Sequence, residues 1–154
     1  MDTKIYNNFI WDIATFGFND YTSNDNGNGI VVDGGGGYDI SFNTVILNTN
    51  PMLTGGHKAA CVLITANINA NGAVALRNNI LANLQTVGNT SSRLVIANLA
   101  TTGSAVFSNI DYNSYYSTST NLSSTGTNAS ITNTMAQLRA SFGSNVNSVN
   151  ANPI

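Results

Sequence analysis

One coil of a repeating β structure is encoded by residues Asn26–Asn50, NGNGIVVDGGGGYDISFNTVILNTN. The run Gly29–Val32 is rich in strand-forming residues, and the four glycines close behind it favour a tight turn. Two further strand-forming runs follow, Tyr38–Phe42 and Thr44–Leu47, with only Asn43 between them. Three short strands separated by two tight bends predict one coil of a parallel β solenoid.

The second bend belongs to a phrase that recurs, imperfectly, along the chain: an apolar residue, one or two further residues, an Asn and then an aliphatic pair. Its four copies, about 30–36 residues apart, are Ile5–Ile10, Ile40–Ile46, Leu76–Leu81 and Val106–Ile110. The last three copies each follow an upstream strand-forming run, which is Gly29–Val32, Ala60–Ile64 or Leu94–Ala97. A repeat of this length is typical of a solenoid.

The Asn of each phrase has a physical role in a stacked coil. A sharp bend favours a residue near the left-handed region, which Asn tolerates better than other residues except Gly. Stacking brings equivalent side chains about 4.8 Å apart, and amides at this spacing form hydrogen-bonded ladders. We predict such a ladder through Asn43, Asn109 and one member each of the pairs Asn7–Asn8 and Asn78–Asn79.

Composition agrees with a turn-rich β protein and argues against some functions. Of the 154 residues, 42% are hydrophobic and only 8% are charged, which suits one folded domain rather than a disordered chain. The net charge of −2, without a basic cluster, argues against nucleic-acid binding. No apolar run is long enough for a membrane span, and the N-terminus lacks a signal-peptide core.

The chain divides into three parts within its single domain. Residues 1–116 are predicted to form the coils, residues 117–131 a loose polar loop, and residues 132–154 a helix and tail that pack on the solenoid. The helix is expected over Thr134–Phe142, where Met135, Leu138 and Phe142 share one face. Gly143 is expected to end it.

The core of the solenoid is predicted from the apolar positions of the strands, and Phe42 and Phe107 are expected to point inward too. The predicted core residues are Ile30, Val32, Ile40, Val45, Val62, Ile64, Val74, Ile80, Leu94, Ile96, Val106 and Ile110.

The coil phrases resemble the right-handed parallel β-helix superfamily with the pectate-lyase-like fold, of the secreted bacterial type. The C-terminal part is similar in Asp111–Tyr116, the short helix, Gly143, Asn147-Ser148 and the closing Ala151–Pro153. Leu138, where the family often has Trp, and Asn145, where an acid is common, depart from it. The resemblance implies an all-β, right-handed parallel β-helix of about three to four coils with one short C-terminal helix.

This fold hosts lyases, hydrolases, adhesins and passive stalks, so the resemblance alone does not select a function. Related chains normally continue beyond the closing Pro. We therefore expect a fragment of a larger protein whose solenoid ends are covered by other parts of that polypeptide or by a protein partner.

Candidate carbohydrate-binding residues combine aromatic rings with polar groups, and packing inside the protein remains the alternative for the rings. They are Trp11, Tyr21, Asp33, Asp39, Arg77 and Tyr115. The lyases of this fold use Asp-bound Ca²⁺ and a basic side chain that removes a proton. Here the acids are scattered singly, without a pair at strand spacing (i, i+2), so we assign no catalytic residue.

A polar segment between the first two phrases has oxygen-bearing side chains at alternate positions and a turn-forming Gly. Calcium loops have this pattern, although the bidentate acid of an EF-hand is missing. The candidate Ca²⁺ ligands are Asp20, Asn24, Asp25, Asn26 and Asn28. A polar turn without metal is the competing interpretation, and no other cofactor is expected.

The leading functional hypothesis is a non-catalytic segment of a secreted or cell-surface bacterial β-helix protein, acting as an adhesin or as a glycan-binding or structural stalk. The alternative is part of a polysaccharide lyase or another carbohydrate-active enzyme. A third hypothesis is an exported passenger bound to secretion or surface machinery.

Overall fold

The computed structural model describes residues 2–14, 27–52, 58–88, 93–126 and 130–154. The chain forms a parallel β solenoid of about four turns. Each turn contributes three strands, and the first contains β1 (Thr3–Tyr6), β2 (Phe9–Trp11) and β3 (Ile30–Val32). The later turns contain β4 (Tyr38–Ser41), β5 (Thr44–Leu47), β6 (Ala59–Ile64), β7 (Val74–Arg77), β8 (Ile80–Asn83), β9 (Arg93–Asn98), β10 (Phe107–Asp111), β11 (Ser114–Ser117) and β12 (Ser123–Thr125).

Three sheets run along the solenoid. Sheet A has the order β1-β4-β7-β10, sheet B has β14-β11-β8-β5-β2, and sheet C has β13-β12-β9-β6-β3, where β13 is Ser130–Thr132 and β14 is Val149–Asn150. Every pairing is parallel except β12 with β13. The prediction of an all-β parallel solenoid with three strands per coil is confirmed, and its right-handedness stays a prediction.

The core is filled by side chains that occupy equivalent positions in successive coils. In sheet A, Ile5, Ile40, Leu76 and Ile110 lie in register, and the last three are at most 1% exposed. Eleven of the twelve predicted core residues are buried. The prediction that Ile80 is buried was wrong. The bend before β8 resets the inward–outward alternation of side chains, so Leu81 points inward in its place.

The predicted Asn ladder exists at the corner between sheets A and B. Its members are Asn8, Asn43, Asn79 and Asn113. Asn43 donates to Asn79 Oδ1 from its backbone nitrogen (3.0 Å) and from Nδ2 (3.1 Å). Asn79 donates to Asn113 Oδ1 in the same way, at 2.9 and 3.0 Å. The last three amides are each 1% exposed, so the ladder satisfies polar groups that the interior excludes from water.

Two details of the ladder prediction were wrong. The fourth member is Asn113 rather than Asn109, which is exposed. The left-handed residue is also not the ladder Asn but the residue before it. This left-handed column consists of Asn7, Phe42, Asn78 and Tyr112, with φ of 57–58°. Two aromatic residues thus adopt a conformation that costs free energy outside Gly and Asn, which indicates that the bend is imposed by stacking rather than by local preference.

The C-terminal end of the solenoid is closed by a helix. Helix α1 (Met135–Phe142) ends at Gly143, a left-handed C-cap with φ of 64°, as the sequence predicts. Thr134, expected as its first residue, is instead the N-cap. Phe142 packs edge-on against Phe107 with 5.2 Å between ring centroids. The helix therefore covers the last coil with apolar side chains.

The polar segment predicted as a loose loop contains strand β12. Its backbone pairs with β9 on one side and β13 on the other, and buried Leu122 anchors it. Ser123 Oγ and Thr132 Oγ1 lie 2.6 Å apart, within hydrogen-bonding distance. Small hydroxyl side chains thus extend sheet C without an apolar pattern that the sequence could reveal.

Replacing one ladder amide should destabilise the whole solenoid. Asn79→Ala leaves the Asn43 N–H and the Ile40 carbonyl without their buried partners. We expect a loss of at least about 3 kcal/mol in the free energy of unfolding, because each buried unsatisfied group costs roughly 1–3 kcal/mol. Urea denaturation measures it. The matched control is exposed Asn109→Ala, expected within about 0.5 kcal/mol of the wild type; equal effects of the two variants would contradict a structural ladder.

A second prediction concerns Gly29, where the first coil approaches the second. A Cβ at this position would lie 2.3 Å from Val45 Cγ1 and 2.6 Å from the Cys61 carbonyl oxygen. We expect Gly29→Ala to lower the free energy of unfolding by about 2 kcal/mol, as overpacking does. In Gly34→Ala, the control, the new Cβ meets no atom within 4 Å, so its stability should be unchanged or slightly raised. Denaturation of the two variants side by side tests the close approach.

Candidate ligand-binding face

The outer side of sheet B carries a flat, uncharged surface that we call the sheet B face. Because Ile10, Val45, Leu81 and Tyr115 share the inward column, their neighbours along each strand point outward. These outward residues form two rows, Phe9, Thr44, Ile80, Ser114 and Val149, and Trp11, Ile46, Ala82 and Tyr116. Ala82 is fully buried, so the second row is interrupted at that position. No residue of the two rows is charged.

Large apolar side chains on the sheet B face are open to solvent. Phe9 is 63% exposed and Trp11 58%, and their rings stack with centroids 6.1 Å apart. Ile80 and Val149 are also exposed. Thr44 lies between Phe9 and Ile80 in the register, and Ser114 lies between Ile80 and Val149. The sheet B face therefore alternates exposed apolar and hydroxyl side chains, a grouping that indicates an interaction surface more often than single scattered residues do.

The left-handed column borders the sheet B face and adds two aromatic rings to it. Phe42 and Tyr112 are exposed, and Asn78 lies between them in the coil order. The two rings are two coil steps apart, a distance of about 10 Å, since each coil rises about 4.8 Å. A shallow groove of about 400 Å³ adjoins the column, lined by Asn78, Asn79, Ile80, Tyr112, Asn113, Ser114, Asn147 and Val149.

This surface has the chemistry that a neutral polysaccharide needs. Aromatic rings offer flat apolar faces to the C–H groups of a sugar ring. Asn side chains offer both donors and an acceptor to its hydroxyls. The register of the coils repeats both groups at regular steps along the solenoid.

The predicted carbohydrate-binding residues do not lie together. Trp11 is on the sheet B face. Tyr115 is fully buried; its hydroxyl donates to Asn145 Oδ1 at 2.6 Å and accepts from Asn113 Nδ2 at 3.0 Å. Burial raises the pKa of the Tyr115 hydroxyl. Tyr115 falls on the inward column of sheet B, so it cannot form part of a surface site, and its assignment to one is corrected.

The polar candidates lie on other surfaces. Asp39 and Arg77 occupy adjacent coils on the outer side of sheet A, where Arg77 Nη2 and Asp39 Oδ2 form a salt bridge of 2.9 Å. Asp33 follows β3, and its Oδ1 accepts hydrogen bonds from Thr65 Oγ1 (2.8 Å) and Asn67 Nδ2 (3.1 Å). Asp33 and the Asp39–Arg77 pair thus engage separate partners and do not form one cluster.

The calcium hypothesis falls mostly outside the described residues, which exclude Asp20, Asn24, Asp25 and Asn26; Tyr21 is also outside them. Asn28 is described, and its Oδ1 accepts a hydrogen bond from the Ala60 N–H at 3.0 Å. This oxygen thus helps to hold β3 against β6. In the described ranges, no three His, Cys, Asp or Glu side chains are grouped as a metal site would require.

Sequence reasoning missed Phe9, Phe42 and Tyr112 as surface residues. Phe42 was expected to point inward and does not, because its left-handed conformation turns the side chain out of the strand alternation. The sequence does contain a feature that would have predicted their exposure. Phe42 and Tyr112 each directly precede a ladder Asn, as Asn7 and Asn78 do.

An acidic residue secures the C-terminal rim of the groove. The Asp111 carboxylate accepts hydrogen bonds from the Asn147 backbone nitrogen (2.8 Å) and Nδ2 (2.9 Å), and from the Tyr112 N–H. Burial raises the pKa of Asp111, but these hydrogen bonds and one from Ser148 outweigh it and hold the pKa below its ordinary value. The carboxylate therefore ties the segment leading to β14 to the fourth coil.

No protein-family model, curated protein or solved structure matches this chain. The resemblance to the pectate-lyase-like superfamily therefore stays a prediction, while the parallel solenoid itself is shown by the strand pairings. Within the described part of the chain, no helix has the length and apolar character needed to cross a bilayer.

The Asp111 contacts predict an acid-sensitive rim. A carboxyl whose pKa is lowered by folding stabilises the protein above its unfolded pKa, and this contribution disappears as the pH falls through the folded pKa. We expect Asp111→Asn to reduce stability by about 1 kcal/mol at neutral pH, a value that allows for partial exposure.

The deficit of this variant should begin to shrink as the pH falls below about 4, the ordinary pKa of an Asp carboxyl, and should disappear at the lower pH at which the folded wild-type carboxyl becomes protonated. Urea denaturation at several pH values measures the difference. Asp2→Asn, at an exposed position, controls for the change of net charge and should cost less than about 0.5 kcal/mol at neutral pH. A deficit that stayed constant with pH would count against the carboxylate contacts.

Proposed function

We propose that this chain is a non-catalytic, glycan-binding segment of a secreted or cell-surface β-helix protein, an adhesin or a stalk. The observation that carries the proposal is the sheet B face with its exposed rings, together with the left-handed column beside it. The location is part of the proposal and comes from the resemblance of the coil phrases.

The form of this surface favours an extended ligand over a small one. The outer side of a regular parallel sheet is flat, and the adjoining groove is shallow, so neither encloses a small molecule as a typical pocket does. The rows of the face carry no charge, which favours neutral sugars over uronates. A polymer that lies across several coils would gain from many weak contacts of the same kind.

A lyase-like enzyme is the second candidate, and one observation favours it. Asp39 and Arg77 come from adjacent coils and lie on one side of sheet A. As they stand, Arg77 is a protonated guanidinium paired with the Asp39 carboxylate, and in that form it cannot take a proton from a sugar. Asp33 lies elsewhere. The non-catalytic proposal therefore has the stronger support.

The test is binding to insoluble and soluble neutral polysaccharides, measured by pull-down and affinity electrophoresis. Trp11→Ala and Tyr112→Ala should each weaken retention about three- to tenfold, since an aromatic contact contributes roughly 0.5–1.5 kcal/mol beyond its buried area. Tyr6→Ala is the matched control, because Tyr6 is 55% exposed but belongs to sheet A. It should bind like the wild type.

Two results would contradict the proposal. One is retention on no polysaccharide, or retention that Trp11→Ala and Tyr112→Ala leave unchanged. The other is release of unsaturated product from acidic polysaccharides, followed by absorbance with Ca²⁺ and with chelator. Loss of that activity in Asp39→Asn and Arg77→Gln would then establish the enzyme.

A further inference from the structure

The first coil forms one end of all three sheets. Strands β1, β2 and β3 are the terminal strands of sheets A, B and C. No described residue pairs with their outer sides, which we call the first-coil edge. Unpaired strand edges are templates for another chain.

The Asn ladder is directional and is open at this same edge. Asn8 donates from its backbone nitrogen (3.1 Å) and from Nδ2 (2.9 Å) to Asn43 Oδ1, and its Nδ2 also donates to the Tyr6 carbonyl at 3.1 Å. Its own Oδ1 accepts no hydrogen bond from a described residue. The equivalent oxygens of Asn43, Asn79 and Asn113 each accept two from the preceding coil.

The other end of the ladder is closed by different groups. Ser148 Oγ accepts from the Asn113 backbone nitrogen at 3.0 Å, and the Tyr115 hydroxyl accepts from Asn113 Nδ2. Asn8 Oδ1 therefore lacks two specific donors, a backbone N–H and a side-chain amide N–H₂. One more Asn in the same register would supply both.

Apolar groups at the first-coil edge complete the template. Ile5, Ile10 and Ile13 pack against the core but are only half-buried, whereas Ile40 and Val45 one coil further are fully buried. A further coil would therefore bury apolar area as well as pair backbone groups.

We propose that the first-coil edge docks an Asn-bearing β-coil of a partner polypeptide in parallel register. Its strands pair with β1 and β2, its Asn donates to Asn8 Oδ1, and its apolar side chains cover Ile5 and Ile10. This surface is separate from the glycan-binding proposal and does not depend on it.

The ladder chemistry favours this partner over a second copy of the chain. Two copies that met edge to edge would pair their strands antiparallel, and the donors of each Asn8 are already used by Asn43 and Tyr6 of its own chain. The C-terminal end of a second copy cannot take the place of the partner, because helix α1 and β14 occupy it.

The backbone groups that would receive the partner follow from the existing pairing. The Thr3 N–H donates to the Gly37 carbonyl, so residues 3 and 5 direct their backbone groups toward β4. Lys4 then directs its N–H and carbonyl to the other side, as Tyr6 does its N–H, while the Tyr6 carbonyl accepts from Asn8 Nδ2. A proline at position 4 would therefore remove an edge donor without breaking the β1–β4 pairing, and Pro is tolerated on edge strands in this orientation.

The experiment uses a fluorescent peptide with the sequence of residues 38–47, YDISFNTVIL, added to the intact protein and followed by anisotropy. We expect saturable binding that a scrambled peptide lacks, and weaker binding of the peptide with Ala in place of its Asn. Lys4→Pro should lose about tenfold in affinity or more, since one lost hydrogen bond and a clash cost roughly 1.4 kcal/mol. Lys4→Ala, which loses the same charge but keeps the N–H, should change affinity less than about twofold.

Each contrary outcome is distinguishable. Equal effects of Lys4→Pro and Lys4→Ala, or no peptide binding by a protein with unchanged circular dichroism, would overturn the proposal. A concentration-dependent dimer in sedimentation that Lys4→Pro abolishes would show a second copy as the occupant and overturn the parallel coil. Protection of the Lys4 and Tyr6 amides from hydrogen exchange by the peptide would support it directly.

Discussion

The structure depends on one constraint: every coil must turn sharply between sheets A and B without leaving buried polar groups unsatisfied. The ladder Asn meets it, because one amide receives two donors from the preceding coil and passes two donors to the next. Asn79 also bonds the carbonyls of Ile40 and Arg77, so it binds three coils together. A buried network of this kind is stabilising only when every member is satisfied, and the ladder residues recur at intervals of 34 to 36 residues.

The same constraint decides which side chains face solvent. The residue before each ladder Asn is held in the left-handed region, and its side chain is turned away from the core even when it is Phe or Tyr. After the Asn, the alternation restarts, so the first residue of the next strand points outward and the second inward. The exposed rings of the sheet B face and the left-handed column are therefore consequences of the bend, and a ligand surface on this side could arise without altering the ladder.

Local signals in the sequence predicted the elements whose cause is local. The strands from Ile30 to Leu47, the ladder residue Asn43 and the helix with its Gly143 C-cap follow from composition and short spacing, whereas the choice of Asn79 over Asn78 needed the structure. The errors share one origin, the resetting of parity at each bend: Ile80 and Phe42 turned out to be exposed, and Tyr115 buried. Asn109 fits the phrase locally, but only the register with the third coil selects Asn113. Strand β12 is stabilised by partners far along the chain, and no periodicity could predict it.

The polarity of the ladder gives the solenoid two unlike ends. At the C-terminal end the last Asn meets a serine hydroxyl and a tyrosine hydroxyl, and both are tied to Asn145, while α1 seals the core. A hydroxyl can accept from one coil and donate to a side chain of the cap, so it ends the series of amides without leaving a donor unused. At the first coil the amide oxygen of Asn8, the sides of β1 and β2 that pair with no described residue, and the half-buried isoleucines lie together. Because all three features need the same parallel geometry to be satisfied, a single β-coil satisfies them together, whereas solvent satisfies only the polar ones.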